Sequence, residues 1–98
     1  MILIYGGVAV DPARVEEVTA AAVVFAAKCT AEEGAVTYTL SWDVERTNFI
    51  RLVENWTDVD TYTAHTKQQH TIDWTALMVS AAIEAPAFVK FDASPLPL

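Results

Sequence analysis

The chain has 98 residues, 53% hydrophobic and 19% charged, and its 13 acidic and 6 basic side chains leave a formal net charge of −7. That length holds one domain without room for a second core, the composition excludes disorder, and the acidic balance argues against nucleic acid or an anionic membrane surface as a partner. A domain this small buries only about 60–65% of its unfolded surface, so a chain this apolar is expected to cover the excess with a second copy of itself.

Ile2 to Val10 carries apolar residues at both parities, the pattern of a central strand covered on both faces. Gly6–Gly7 within it predicts a bulge or a close approach by a neighbouring group. Asp11–Pro12 then supplies an N-cap carboxylate and a proline at the first helical position. The spacing predicts a helix from about Pro12 to Thr30, with Val15, Val18, Ala22, Phe25 and Cys29 on one stripe and Arg14, Glu17 and Lys28 off it. The single cysteine rules out an internal disulfide and is read as a small buried apolar side chain.

Ala35 to Asp43 alternates, with Val36, Tyr38, Leu40 and Trp42 on one face, which predicts a half-buried edge strand. Val44 to Thr47 is a polar turn, and Asn48 to Trp56 is the second strand of the same hairpin. Thr57 followed by Asp60 reads as a capping box opening a helix to about Gln68. A further helix over Thr71 to Ala82 carries Trp74, Leu77, Met78 and Ala81 on one stripe. Pro86 restricts the last strand, Ala87 to Asp92, to a late start or an edge.

The order is βαββαβ with a divided second helix: an α+β, ferredoxin-like plan with an antiparallel sheet and helices on one face. One domain fills residues 1–93, and 94–98 form a tail without periodicity. The open sheet face wants a lid that only a second sheet supplies. Apolar stretches are interrupted before membrane-spanning length, and the N-terminus lacks the basic region and cleavage site of a signal peptide, so a cytoplasmic location is expected.

Among candidate functional residues, Glu54 shares its strand parity with Ile50, Leu52 and Trp56, and a carboxylate there must be hydrogen-bonded, paired or raised in pKa. Its bland reading is a fold-fixing pair. Trp56 ends the strand as core or as a ring platform. Tyr62 and His65 follow three residues apart on one helical face, so Glu54, Trp56, Tyr62 and His65 are expected to converge on one cavity between helix and sheet. His70 lies five residues beyond His65, the wrong step for two ligands on one helical face, and no Cys/His cluster completes a zinc site, so no metal is expected. Arg51 faces the opposite side, toward a partner sheet or a cross-strand acid. No nucleophile elbow and no Gly-rich phosphate cradle are present.

Gly34 with Tyr38, then Glu54-x-Trp56, an acidic cap at Asp58 and a helix histidine at His65 resemble the antibiotic-biosynthesis-monooxygenase domains. The resemblance implies a dimeric α+β barrel with a pocket in each subunit. It also implies oxidation of a phenol, quinol or anthrone-like polyketide by O₂ without flavin, metal or other cofactor. Within the resemblance Trp56 and Tyr62 match pocket-lining positions; together with the expected convergence on one cavity, this makes His65, Trp56 and Glu54 the catalytic candidates and Tyr62, Leu52 and Tyr38 the substrate contacts. Leu52 stands where some oxidising members carry Asn, and Tyr5-Gly6-Gly7 does not reproduce the first-strand Asn of haem-degrading relatives. The alternatives are an isomerase or lyase using the same pocket for proton transfer, and a non-catalytic small-molecule-binding dimer.

Overall fold

The computed structural model describes residues 1–98. Its elements are β1 (Ile2–Ala9), α1 (Val15–Thr30), β2 (Ala35–Trp42), β3 (Phe49–Trp56), α2 (Val59–Thr66), α3 (Gln69–Ala81) and β4 (Ala87–Asp92). One 3-10 turn over Pro12–Arg14 leads into α1, and the Asp11 carboxylate accepts the Ala13 N–H at 2.9 Å. The α1 stripe buries Val18, Ala22, Phe25 and Cys29 as the spacing predicts.

The cap of α2 is Asp58, the acidic cap of the family resemblance, and not the Thr57 of the capping-box reading: its backbone is extended and its Oδ1 accepts the Thr61 N–H at 2.8 Å. Thr57 still belongs to the sheet end, because its own N–H donates to the Gly34 carbonyl at 2.9 Å. α3 starts at Gln69, two residues before the expected Thr71, because only Gln68 adopts the extended backbone that restarts the helix.

The four strands form one antiparallel sheet in the order β2-β3-β1-β4, with β1 and β3 central. The register of β1 runs without interruption against both neighbours, so Gly6 marks a close approach and not a bulge. Its φ is +150°, and a Cβ there would collide with the Ala87 carbonyl and Phe88 of β4. The irregularity lies elsewhere, between Ala35 and Thr37 of β2. Val36 is thereby exposed and leaves the face shared by Tyr38, Leu40 and Trp42, a correction to the simple alternation.

Cross-strand rows place Tyr38, Glu54, Ile4 and Lys90 side by side beneath the helices, and Leu40, Leu52, Gly6 and Phe88 in the next row. Two apolar clusters form there, one around Val8, Val18, Ile50 and Met78, the other around Ile4, Phe25, Cys29, Tyr38 and Trp56. The opposite sheet face carries Tyr5, Val53, Val89 and Phe91, each 41–47% exposed. Arg51 lies there too and pairs with Asp43 of the hairpin at 2.6 Å, the cross-strand acid expected of it. No helix is long and apolar enough to cross a membrane.

Candidate functional site

Between the two clusters, under α2 and α3, lies a cavity of about 670 Å³, within the range of about 300–1,000 Å³ that holds small molecules. Ile4, Leu40, Ile50 and Leu52 form its floor, and Phe25, Trp74 and Met78 its apolar roof. The polar lining is sparse: Tyr38, Glu54, Tyr62, His65, Lys90 and the threonines Thr66, Thr71 and Thr75. The Phe25 and Trp74 rings stack on each other at 4.8 Å.

Strand parity carries Glu54 into this space, and α2 lowers His65 onto it. Both are buried, and they are the only polar residues in the buried set. His65 Nδ1 lies 2.8 Å from Glu32 Oε2. A carboxylate only accepts, so the ring donates from Nδ1, and a neutral ring then presents an unprotonated Nε2 on the opposite side. Nε2 is 3.9 Å from Glu54 Oε1, too far for a hydrogen bond, so in that neutral tautomer this nitrogen has no partner within the chain, and His65 itself lines the cavity.

Glu54 is held by the Trp56 indole, whose Nε1–H donates to Oε1 at 2.8 Å. Burial raises the Glu54 carboxyl above the ordinary carboxylate range; the Trp56 hydrogen bond and His65 pull it down, and Glu32 adds to the rise. Burial followed by the Glu54 charge also raises both phenols, Tyr62 and Tyr38, so each is a hydroxyl donor and not a base. Burial first, then Glu32 and Glu54, pushes the Cys29 thiol up.

Of the six residues singled out from the sequence, Glu54, His65, Tyr62, Leu52 and Tyr38 line the cavity. Trp56 does not. It is fully buried, with its ring 4.5 Å from the His65 ring and its N–H on Glu54, so it backs the imidazole and anchors Glu54. Three residues escaped the sequence reading. Glu32, which no spacing singled out, holds His65 from the turn after α1. Lys90 of β4 is the sole cationic side chain in the lining, with Nζ 5.2 Å from the centre of the Tyr62 ring. His70 Nε2 lies 2.9 Å from the same Glu32 oxygen that meets His65.

His70 overturns the spacing argument. The break at Gln68 turns α3 away from the axis of α2, so two histidines five apart reach one carboxylate. Donor atoms of Cys29, Glu32, His65 and His70 all lie within 4.8 Å of one another, contrary to the expectation that no Cys/His cluster exists.

The family model for antibiotic biosynthesis monooxygenases matches residues 1–77. Among solved structures, one antibiotic biosynthesis monooxygenase superposes with a TM-score of 0.89 at 19% identity, covering 97% of this chain and all of the other. A protein from Deinococcus radiodurans, provisionally assigned to the same family, gives 0.90 at 13% identity over 100% of this chain and 97% of its own. One from Caulobacter crescentus CB15, with the same provisional assignment, gives 0.87 at 22% identity over 96% and 90%. No functionally curated protein is detectably similar in sequence.

Proposed function

We propose that this chain, which belongs to the antibiotic biosynthesis monooxygenase family, is a cofactor-independent monooxygenase oxidising a small electron-rich aromatic with O₂. The substrate class is a phenol, quinol or anthrone-like polyketide. The observation that carries the reading is the placement of His65 in the lining of a mainly apolar cavity, with Nδ1 2.8 Å from Glu32 and Nε2 without a hydrogen-bond partner in the chain. In such chemistry the ionised substrate is the reductant, and the protein's work is to remove a proton in a dry pocket and leave room for oxygen. For an anthrone-like guest, a ring methylene becomes a carbonyl: one oxygen atom enters the carbon, and the other leaves as water with the two methylene hydrogens.

His65 Nε2 takes the first proton, and the Glu32 carboxylate on Nδ1 stabilises the imidazolium that results. Lys90 supplies the positive charge that an aryl oxyanion needs. Tyr62, Leu52 and Tyr38 contact the rings, Glu54 orients the reacting edge, and Trp56 is a positioning residue acting through Glu54 and His65. One observation favours an isomerase as second reading: Glu54 and His65, 3.9 Å apart, are two proton-handling groups on one wall.

An oxygen electrode with a panel of quinols and anthrones tests the proposal. Oxygen uptake matched by quinone formation is expected; turnover of the same compounds under anaerobic conditions excludes oxygenation in favour of the isomerase. Tight binding without product would leave a binding module.

The working form is read as a homodimer with two sheets packed face to face. Its support is the apolar row Tyr5, Val53, Val89 and Phe91, and the buried Oδ1 of Asn55 on the same face, which lacks a partner within the chain. Sedimentation should find two chains per particle, and Phe91→Asp should yield monomers.

A further inference from the structure

We propose that Cys29, Glu32, His65 and His70 form a binding site for a single zinc ion, a property beyond the oxygenation reading. The donors come from four places that the fold brings together: the last turn of α1, the turn after it, α2 and α3. Zinc bonds of about 2.0–2.3 Å set tetrahedral donors about 3.3–3.7 Å apart. The two hydrogen bonds to Glu32, 2.8 Å from His65 and 2.9 Å from His70, open by a few tenths of an ångström to admit an ion, and the widest separation of 4.8 Å contracts by about 1 Å. Glu32 and His70 are the partly exposed members, 11% and 18% at their side chains, and give the ion its way in.

Charge and chemistry agree with the geometry. A thiolate and a carboxylate cancel the dication while both imidazoles stay neutral, so the closed site carries no net charge into the interior. One sulfur and two nitrogens among four donors select zinc over magnesium or calcium. The surroundings match as well. His65 would bind through Nδ1, and its remaining ring nitrogen faces Glu54 at 3.9 Å, whose Oε1 is fixed by the Trp56 N–H at 2.8 Å. An outer carboxylate supports a ligating histidine by accepting its far N–H; Glu54, 3.9 Å away, would take that role by closing to hydrogen-bond distance once Nε2 carries the proton.

Binding involves no redox step. The Cys29 thiol loses its proton to solvent, and the ring proton of His65 moves from Nδ1 to Nε2, where it faces Glu54. The ion-bound protein therefore lacks the free Nε2 lone pair, and zinc and proton abstraction at His65 exclude each other. The ion also ties α1, α2 and α3 together across the break at Gln68.

The test uses the full chain, stripped with a chelator and titrated with Co²⁺ and then Zn²⁺ alone. One Co²⁺ per chain is expected, with tetrahedral d–d absorption and a thiolate-to-cobalt charge-transfer band, displaced by Zn²⁺, together with a rise in Tm. Cys29→Ser should abolish the charge-transfer band. His70→Gln, at a partly exposed position where circular dichroism can verify folding, should weaken binding by more than about tenfold. Absence of stoichiometric cobalt binding by the wild-type chain, or binding unchanged in affinity by His70→Gln, overturns the site. Because the readouts are metal content, absorption and Tm, they stand whether or not any aromatic substrate is oxidised.

Discussion

Against the C-terminal half of α3, Val8, Val10, Val18, Ala22, Ile50, Met78 and Ala81 pack as a cluster without a buried ionisable group. At the other end of the same sheet, Ile2, Ile4, Phe25, Cys29, Tyr38 and Trp56 surround Glu54 and His65, and the cavity opens between the two ends. The first end gains stability from every side chain it hides. The second hides a carboxylate whose charged form is disfavoured by burial, and supports it with one indole N–H. If the polar end carries the proposed chemistry, substitutions at the aliphatic end should move folding, and those at the polar end should move turnover.

The largest expected effect is at the polar end. His65→Gln should lower kcat for an accepted quinol by about 10²–10⁴-fold, measured as oxygen uptake, with the sedimentation profile unchanged. At the aliphatic end, Val18→Ala should cost about 2 kcal/mol of unfolding free energy in urea. Val18 is wholly buried and does not line the cavity, so its kcat should stay near the wild-type value. An equal loss of stability and turnover in either variant would break the division.

Glu54→Gln sharpens it further. Because the folded carboxyl titrates above its unfolded value, the native state binds more protons over that interval, and wild-type stability falls as pH rises through it. Glutamine keeps an acceptor for the Trp56 N–H without the charge. Its Tm should match wild type below the ordinary carboxylate pKa and exceed it at neutral pH, while turnover drops. The smallest effect is expected from exposed Lys90: Lys90→Gln should raise KM for phenolate-forming substrates a few-fold and leave Tm unchanged.

Much of the fold was legible because its signals are local. The Asp11–Pro12 start, the α1 stripe and the parity of Ile50, Leu52, Glu54 and Trp56 depend on neighbours in sequence, and each recurs in the structure. The site was legible only in part. Glu54, Tyr62 and His65 follow from parity and helical spacing. Glu32 has its partners 33 and 38 residues away and no periodicity to mark it. His70 was discounted by the spacing rule for one helical face, although the sequence already divides the helix there; the restart at Gln69 is what brings its ring to Glu32. Lys90 sits on an edge strand whose residues are all exposed in the single chain, so burial could not flag its inward face. Trp56 was assigned to the guest because parity tells the side of the sheet and says nothing of depth behind the cavity wall.

In the proposed reaction Glu32 fixes the His65 tautomer and leaves Nε2 free for a guest. Long-range ¹H–¹⁵N correlation of the imidazole rings in chelator-treated protein, with and without an unreactive phenol, reads this directly. The account predicts the Nδ1–H tautomer for His65, with the Nε2 resonance alone shifting strongly as the phenol binds. An Nε2–H tautomer in that metal-free protein, or an Nε2 signal indifferent to a bound phenol, would contradict it.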